Sequence, residues 1–567
     1  MQQKWNQNFD GEPMTDIPQK FLNAGCDVYM VMQLRHDEKI LDERFASMRE
    51  LHRRGKTPDP EHYEVTYYAD LPTMWQDVPD NEVLEELFQM FNLSRPKVQA
   101  KIDKDIEQNR KANAIVGLQN VAAGSEVKIE QVSHDFVFGA HIFNYNQLGT
   151  PACNQKYKDV FGTLFNRATV AFYWKTLEMQ PNRPRFREEY WDTEEYWNRQ
   201  TDPKHQPHWR RPSPDQIIDF CLSKGVPVHG HPLIWGNRKW HNPNWIIDQM
   251  MTLEEKKEMD KLIVEYGNLD NYLDGEKYTD KYKNMTVAQL ETKFPNLTKK
   301  LKELFEKRIV EIAKYYGDRV SSWDVVNESA QDFAKGAMVP GSGLCKSNYG
   351  IMPGDYTFEA FKTANQVFSN NVLLNINDYW TGPEYPEQVK DLMKRGAKIN
   401  VAGSQMHLFK PQQCLDIAAG KEIQTPNQIW TIMNRISETG LPIHLSEITI
   451  TSPGNDDRGQ KIQAIIAQNL YRLWFSVKNM MGITWWNVVD DCGAPGEPSV
   501  SGLFTRNMDP KQSFYALDNL INHEWKTNMT VKASKNGNVE FRGFKGKYHI
   551  TYTDKFGKEQ VIEYHLK

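Results

Sequence analysis

Trp323-Asp324-Val325-Val326-Asn327-Glu328 is an apolar run that stops on an amide and a carboxylate. A second run of the same kind, Pro442-Ile443-His444-Leu445-Ser446-Glu447, also ends on a glutamate. Near-continuous apolar runs of this length are typical of parallel strands that are buried on both faces. We therefore expect two buried strands that each deliver a carboxyl group to the same end of a sheet.

Further apolar segments of similar length flank these two stretches, and most of them are followed by a helical pattern. The eight predicted strands cover residues 136–140, 168–174, 226–231, 322–328, 372–378, 400–407, 443–447 and 483–486. Alternation of apolar strands with helices predicts a parallel βα array, and eight such units are what a (β/α)8 barrel requires. We predict the α/β class, with a TIM barrel over residues 136–525 and loop insertions near residues 181–214 and 241–300.

The two ends of the chain have a different pattern. Residues 112–135 and 526–567 contain short stretches with period-two alternation, separated by glycine-containing turns. We predict that residues 112–135 form a β-hairpin leading into the barrel. The hairpin is expected to pair with residues 526–567 in a small accessory β-sheet or sandwich. Residues 1–111 are mixed and charged, and their pattern indicates no role.

Composition argues against several functions. The 567 residues are 39% hydrophobic and 25% charged, and the net charge of -5 provides no basic stripe for nucleic acid. No run of 18 apolar residues and no apolar N-terminal segment is present, so neither a membrane span nor a secretion signal is predicted. The six cysteines are scattered without a C-x-x-C pair, which favours isolated thiols. We predict neither a metal nor a cofactor.

The paired glutamates suggest a reaction. Two glutamates at the carboxyl ends of two strands in one barrel are the minimum for retaining glycoside hydrolysis, in which one is the acid/base and the other the nucleophile. Aromatic residues make up 12% of the chain, including 16 Trp and 24 Tyr. Flat rings stack on the C–H faces of sugars, so this content suits a cleft that binds a polysaccharide.

Six motifs occur in a fixed order: Phe138-Gly139-x-His141, Gly230-His231-Pro232-Leu233-Ile234-Trp235, Trp323-Asp324-Val325-Val326-Asn327-Glu328, Asn377-Asp378-Tyr379, Gln405-Met406-His407 and Leu445-Ser446-Glu447. Together they resemble glycoside hydrolase family 10, the retaining endo-β-1,4-xylanases, over roughly residues 136–520. The resemblance implies a TIM barrel that cleaves xylan or xylo-oligosaccharides without a cofactor. It also implies a secreted, periplasmic or cell-surface protein whose signal peptide is absent from this sequence.

The resemblance implies roles for individual residues. Glu328 matches the acid/base and Glu447 the nucleophile, with their carboxyl groups ~5 to 5.5 Å apart. Asn327 matches the contact to the sugar 2-hydroxyl, and His407 matches the histidine that orients the nucleophile. Residues that match substrate contacts are His231, Trp235, Gln405, Trp486, Asn377 and Tyr379. Of the adjacent Trp485 and Trp486, only one can point into the barrel mouth, and Trp486 is preferred.

Several positions depart from the family pattern. Residues 169–174, on the second strand, lack the Glu-Asn pair and the Lys that hold the xylose two sites from the cut. Thr449 stands where an Asp normally bonds the orienting histidine, so His407 is expected to be less basic. Gly236 replaces the usual His of the third strand, and residues 491–496 replace a Ser-Trp loop.

Three interpretations follow from these departures. The first is an active retaining xylanase that acts on decorated xylan. The second is a glycan-binding protein that kept the cleft but lost turnover, although binding alone would not require both glutamates with Asn327 and His407. The third is a retaining glycosidase of another barrel family with a different β-glycan specificity, but such families lack the stretch from His231 to Trp235.

Overall fold

The computed structural model describes residues 96–148, 150–178, 181–186, 213–237, 240–243, 245–263, 278–418, 423–493, 497–498 and 500–567. The strands are β1 Lys111–Gly117, β2 Glu126–His134, β3 Val137–His141, β4 Arg167–Ala171, β5 Val228–His231, β6 Ile234–Trp235, β7 Ser322–Asn327, β8 Leu344–Ser347, β9 Gly350–Pro353, β10 Leu373–Asp378, β11 Val401–Leu408, β12 Ile443–Ile450, β13 Met480–Trp485, β14 Asn528–Lys532, β15 Asn538–Phe544, β16 Gly546–Thr553 and β17 Glu559–Leu566.

The α-helices are α1 Pro96–Arg110, α2 Pro151–Asp159, α3 Trp174–Leu177, α4 Pro214–Ser223, α5 Trp245–Met250, α6 Leu253–Asp260, α7 Asp280–Asn284, α8 Val287–Lys293, α9 Pro295–Tyr316, α10 Ala330–Ala334, α11 Tyr356–Val367, α12 Glu384–Lys394, α13 Pro411–Ala418, α14 Pro426–Ser437, α15 Asp457–Ser476 and α16 Gln512–Asp518. Most of the first predicted domain, residues 1–111, lies outside the described residues, as does most of the predicted insertion at 181–214. The described part of the second predicted insertion, 241–300, contains short helices.

Eight parallel strands close into a barrel in the order β3, β4, β5, β7, β10, β11, β12 and β13, and β13 pairs back with β3. The predicted (β/α)8 fold is confirmed, with strand bounds that differ from the expected ones by a few residues. The two-residue strand β6 continues the sheet beside β7, where Trp235 lies opposite Asn327. The carboxyl ends of all these strands meet at one mouth of the barrel, where such folds place their chemistry.

Packing around Trp323 explains why β5 and β7 adjoin. The Trp323 side chain is fully buried, and a Cβ atom on Gly230 would lie 2.2 Å from its ring. Phe172 meets the same ring edge-on at 4.6 Å. A glycine is therefore required at position 230, next to His231, which enters the mouth of the barrel.

Helix α9 shows how an outer helix is fixed to the barrel. It begins with Pro295 in its first turn and ends before Gly317, whose φ of 52° favours glycine. Its buried apolar residues recur at helical spacing, and they are Leu297, Leu301, Phe305, Ile309 and Ile312. This stripe packs against the barrel. In the chain, α9 is the helix that precedes β7, the strand that leads to Glu328.

The terminal segments form two small sheets, in the orders β14-β2-β16-β17 and β1-β15. The predicted hairpin of residues 112–135 is wrong, because β1 pairs with β15 while β2 pairs with β14 and β16. The physical reason lies in the core of the module, where inward residues from both sheets pack together: Ala114, Val116, Val127, Ile129, Val539, Phe541, Tyr548 and Ile550. Strands β1 and β2 thus belong to two facing layers.

The structure bears on two predictions made from composition, those on membrane spans and on cysteines. Among the described residues no helix has the length and apolar character needed to cross a bilayer. The cysteines in that part of the chain form no disulfide bonds: Cys153, Cys221, Cys345, Cys414 and Cys492. Cys26 lies outside the described residues.

Candidate active site

A cavity of about 670 Å³ opens at the carboxyl ends of the barrel strands. The predicted site residues on its wall are Glu328, Glu447, Asn327, His407, His231, Trp235, Gln405, Trp486 and Tyr379. Asn377 was predicted to contact substrate, but its side chain is fully buried and lies behind the wall. Its amide is engaged within the protein instead, because Nδ2 donates to Asn327 Oδ1 and to Glu447 Oε1, both at 2.9 Å.

Glu328 follows the last residue of β7 in a left-handed conformation, with φ of 55°. Such a φ is uncommon for a residue with a side chain and concentrates at functional sites. The Glu328 N–H donates to the Asn377 carbonyl oxygen at 2.8 Å, which fixes the turn. Three side chains donate to its carboxylate: Trp235 Nε1 to Oε2 at 3.1 Å, the Tyr349 hydroxyl to Oε2 at 2.9 Å and Gln405 Nε2 to Oε1 at 3.1 Å.

Glu447 lies within β12 and is 5% exposed. Its Oε1 accepts a hydrogen bond from Asn377 Nδ2 at 2.9 Å. His231 Nε2 lies 3.6 Å from the same oxygen, and His407 Nε2 lies 3.5 Å from Oε2. Burial raises the pKa of the Glu447 carboxyl to about 8 against the lowering effect of His231, and the negative charge of Glu328 adds to the increase.

A chain of amides joins the two glutamates. Asn327 Oδ1 accepts from Asn377 Nδ2 at 2.9 Å and from Gln405 Nε2 at 3.3 Å. Gln405 also bonds Glu328, and Asn377 also bonds Glu447. Since Asn327 lines the cavity and its carbonyl oxygen is engaged, its NH2 group is the donor available to a bound hydroxyl.

A buried aspartate that the sequence reasoning did not single out positions His231. Asp324 Oδ2 lies 2.7 Å from His231 Nδ1 and 2.9 Å from His229 Nε2. Burial acts to raise the pKa of Asp324, but the two histidines outweigh it and hold that pKa well below its usual range. The ionised carboxylate accepts the Nδ1 hydrogen, so His231 presents Nε2 to Glu447. Asp324 stands in the motif of β7, but the motif alone does not reveal its partners.

His407 faces Glu447 from the neighbouring strand. Its Nδ1 lies 2.9 Å from Thr449 Oγ1, its register partner on β12. Burial lowers the pKa of His407 to about 4, despite smaller opposing effects of the charges of Glu497 and Glu328. The predicted loss of basicity agrees in direction with this pKa, and His407 is a neutral imidazole at neutral pH.

Two aromatic side chains, Trp486 and Tyr379, form parts of the wall. Trp486 comes directly after the end of β13 and meets the rings of His141 and His231 edge-on at 5.0 and 5.4 Å. Trp485 points the other way and is fully buried. Tyr379 lies at the rim, 38% exposed, and burial raises the pKa of its phenol to about 12.

Where the family's second-strand polar set is missing, the wall is largely aromatic. Tyr173 and Phe143 line the cavity with their ring centroids 5.8 Å apart, and Tyr173 lies 5.6 Å from His231. The loop after β13 adds a third carboxylate, Glu497, which accepts from Asn487 Nδ2 at 2.8 Å. Over the described part of the chain, no cluster of three or more His, Cys, Asp or Glu side chains is arranged to hold a metal ion.

The closed barrel, with two glutamates from two of its strands in one cavity, defines a glycoside hydrolase. The sequence model of glycosyl hydrolase family 10 matches residues 130–520, and the chain belongs to this family. It is an endo-1,4-β-xylanase-like enzyme. A second sequence model, that of the YodL-like domain, matches residues 28–101.

The chain matches known proteins at low identity. Endo-1,4-beta-xylanase B of Paenibacillus barcinonensis is 22% identical over 325 residues, which are 53% of this chain and 80% of the relative. Anti-sigma-I factor RsgI6 of Acetivibrio thermocellus is 23% identical over 342 residues, which are 60% of this chain and 34% of the relative. The solved native xylanase 10B from Thermotoga maritima aligns with a TM-score of 0.45 and 18% identity, over 69% of this chain and 96% of that one.

Proposed function

We propose that this protein cleaves internal β-1,4-xylosidic bonds of xylan by a retaining double displacement. The observation that carries the proposal is the amide chain Asn327, Asn377 and Gln405, which holds Glu328 and Glu447 on one cavity wall. Pure binding of a glycan needs neither a buried carboxylate nor a second one fixed beside it. Retaining hydrolysis needs both.

In the first step, a carboxylate oxygen of Glu447 attacks the anomeric carbon as the glycosidic bond breaks. Glu328 gives its proton to the departing oxygen, so the leaving chain departs as an alcohol. His407 and His231 orient the nucleophile. His407 is a neutral imidazole and forms no ion pair with Glu447, and the ring of His231 is held by Asp324. The Asn327 NH2 group donates to the 2-hydroxyl of the sugar, a contact that strengthens in the transition state.

In the second step, water replaces the leaving chain. Glu328 takes a proton from that water while its oxygen attacks the anomeric carbon, and the ester bond to Glu447 breaks. The proton is then back on Glu328 and the carboxylate of Glu447 is restored. The released sugar has the β configuration of the substrate. Trp235, Trp486 and Tyr379 supply ring faces and polar tips along the bound chain.

Decorated xylan is the proposed substrate. The aromatic wall of Tyr173 and Phe143 replaces the polar set of the family, so the sugar two sites from the cut is held by stacking. The polar rim at Glu497 offers an acceptor to hydroxyl groups of a side-chain sugar. A polymeric substrate of this kind does not cross membranes, and we therefore propose action in a secreted, periplasmic or cell-surface location.

The first experiment compares four polymers with one variant. The purified protein is incubated with plain xylan, arabinoxylan, glucuronoxylan and mixed-linkage glucan, beside Glu447→Ala. Product masses and the anomer released first are followed. We expect β-configured xylo-oligosaccharides from internal cleavage, most from a decorated xylan, and none from the variant. First release of the α anomer, or equal products from the variant, would contradict the mechanism.

Glycan binding without turnover is the second candidate. The relative named as an anti-sigma-I factor shows that a region of this kind occurs in a protein named for regulation. If none of the four polymers is cut, titration calorimetry on the same polymers distinguishes the candidates. Binding that survives in Glu447→Ala would favour this second function.

A further inference from the structure

Tyr349 hydrogen-bonds Glu328 but lies outside the six motifs quoted from the sequence. Its hydroxyl donates to Glu328 Oε2 at 2.9 Å, and Trp235 Nε1 donates to the same oxygen at 3.1 Å. The other oxygen, Oε1, faces Gln405. The two carboxylate oxygens of Glu328 are therefore in different environments: one meets two donors and the other meets one.

The space for the Tyr349 ring depends on Gly236. A Cβ atom on Gly236 would lie 3.1 Å from Tyr349 Cδ2 and 3.2 Å from Ser347 Oγ, which is tighter than ordinary van der Waals contact. A histidine at position 236 would need the volume that the phenol ring occupies. The absence of a side chain at position 236 therefore leaves the space in which the phenol lies beside Glu328.

The turn that carries Tyr349 is held in place by hydrogen bonds to the buried Asp332. Asp332 is 1% exposed, and its Oδ2 accepts from Ser347 Oγ at 2.6 Å and from the Tyr356 hydroxyl at 2.7 Å. Its Oδ1 accepts from the Asn348 N–H at 2.6 Å. The Tyr349 N–H donates to Ser347 Oγ at 3.2 Å. These bonds orient the phenol before any substrate arrives, because they fix the backbone between β8 and β9.

We propose that Tyr349 is a positioning residue for the acid/base: together with Trp235 it engages both lone pairs of Glu328 Oε2 and so keeps the transferable proton on Oε1. This inference rests on the proposed function. Oε1 lies on the side of Gln405 and Asn327, the side on which the amide chain leads to the nucleophile. The proton is therefore presented to the glycosidic oxygen in the first step, and in the second step Oε1 receives the proton of water.

The test is Tyr349→Phe, which removes one hydroxyl and keeps the ring. Two substrates are compared by kcat/KM: phenyl β-xylobioside, whose poor leaving group needs a proton, and 2,4-dinitrophenyl β-xylobioside, whose leaving group needs none. Loss of the hydrogen bond that keeps the proton on Oε1 should lower kcat/KM for the phenyl substrate by about 10-fold. The value for the dinitrophenyl substrate should change by less than about 3-fold, because acid assistance contributes little there.

Two other variants complete the design. Tyr515→Phe makes the same chemical change on an exposed tyrosine, 59% accessible on α16, and should leave both substrates unaffected. Gly236→Ala pushes the ring of Tyr349 away and should give the same selective loss, so it serves if Tyr349→Phe does not fold. In the double variant the alanine should add little, since the bond it disturbs is already gone.

The outcomes separate this inference from the proposed function. A selective loss on the phenyl substrate supports the role of Tyr349. An active wild type whose Tyr349→Phe variant loses both substrates equally, or neither, overturns that role and leaves the proposed function intact. A wild type that hydrolyses neither aryl xylobioside nor any xylan overturns the proposed function and the role of Tyr349 with it.

Discussion

The two glutamates of the cavity are held by different parts of the molecule. Glu447 lies inside barrel strand β12, where the register against β11 and β13 shifts, and its neighbours His231, Asn377 and His407 stand on barrel strands as well. Glu328 stands just past a strand end with a left-handed backbone, and two of its three donors, Trp235 and Tyr349, come from segments outside the eight barrel strands.

The barrel fold determines the surroundings of Glu447, whereas a loop determines much of the surroundings of Glu328. The environment of Glu447 comes with the barrel itself, because closing the barrel brings β5, β10, β11 and β12 together. The environment of Glu328 depends on the turn between β8 and β9, which belongs to a long connection after β7. Loop residues vary more easily than packed strands, so the acid/base is the part of the site that a divergent chain can retune.

Glu447→Gln tests the nucleophile side with the largest expected effect. Removing a catalytic nucleophile should lower kcat on xylan by roughly 10⁵-fold, since the covalent intermediate cannot form. Initial rates of reducing-end release measure the loss. Glu438→Gln is the matched control, since Glu438 is an exposed partner of Lys390 and should leave the rate unchanged. A loss below about tenfold would assign the nucleophile to another residue.

Glu328→Gln tests the acid/base side and should be milder and substrate-dependent. General acid catalysis contributes about 10²- to 10⁴-fold, so kcat/KM on xylan should fall within that range. With 2,4-dinitrophenyl β-xylobioside the first step should be almost unaffected, and a burst of dinitrophenol should precede slow release of the covalent intermediate. Stopped-flow absorbance measures the burst. Equal losses on both substrates would contradict the assignment of Glu328 as the acid.

The sequence predicted the barrel because its strands are buried runs with helices between them. It also predicted which residues reach the cavity where the residue directly follows a strand, as Glu328 and Trp486 do. It could not predict Tyr349, because a tyrosine on a turn has no periodicity and its contact with Glu328 depends on the missing side chain of Gly236. Asn377 was predicted to contact substrate because a sequence motif does not show whether a side chain is buried, and the side chain of Asn377 is fully buried.

The accessory module shows the same limit in the β-rich ends. The local pattern correctly indicated strands near residues 114–118 and 127–132, but it contains no information about the partner strand. Both strands found partners more than 390 residues away in the chain, as the register of Gly117 with Asn538 and of Val127 with Val531 shows. The local sequence pattern determines which face of a strand is buried, whereas long-range packing determines which sheet the strand joins.

The thermal stability of the same two variants sharpens the comparison. Burial raises the folded pKa of Glu447 to about 8, above its value in the unfolded chain. Ionising the carboxyl therefore costs stability as the pH rises from the unfolded pKa, about 4.5, toward the folded one. Glu447→Gln should raise the stability at pH 7 by a few kcal/mol, and the gain should shrink toward pH 4.

Differential scanning calorimetry between pH 4 and pH 8 measures this gain as a change in apparent Tm. Glu328→Gln should give no comparable gain, because the Glu328 carboxylate accepts three hydrogen bonds that one amide oxygen cannot all accept. If the two variants shift Tm equally at every pH, the two carboxyl groups have equivalent environments, and the distinction between strand and loop support fails.

Thr449→Asp should have the smallest effect, and it acts on the nucleophile through one neighbour. An aspartate at this position would face His407 Nδ1, now 2.9 Å from the threonine hydroxyl, and its negative charge would raise the pKa of His407 from about 4. The imidazolium, 3.5 Å from Glu447 Oε2, would then favour the ionised nucleophile. Glu328 and Glu497 also act on His407, and both stay in place.

The sign of the resulting pH effect follows from the role of Glu447, which attacks only when ionised. Activity is lost as the pH falls through its pKa, so a lower pKa for Glu447 moves the acid limb of the kcat/KM profile to lower pH, by about half a unit to one unit. Thr449→Asn is the matched control, because it has nearly the same shape without the charge, and its acid limb should not move. An acid limb that stays fixed in Thr449→Asp would mean that His407 remains neutral whatever its partner. In that case burial alone would set the ionisation of the nucleophile, and the threonine would have no part in it.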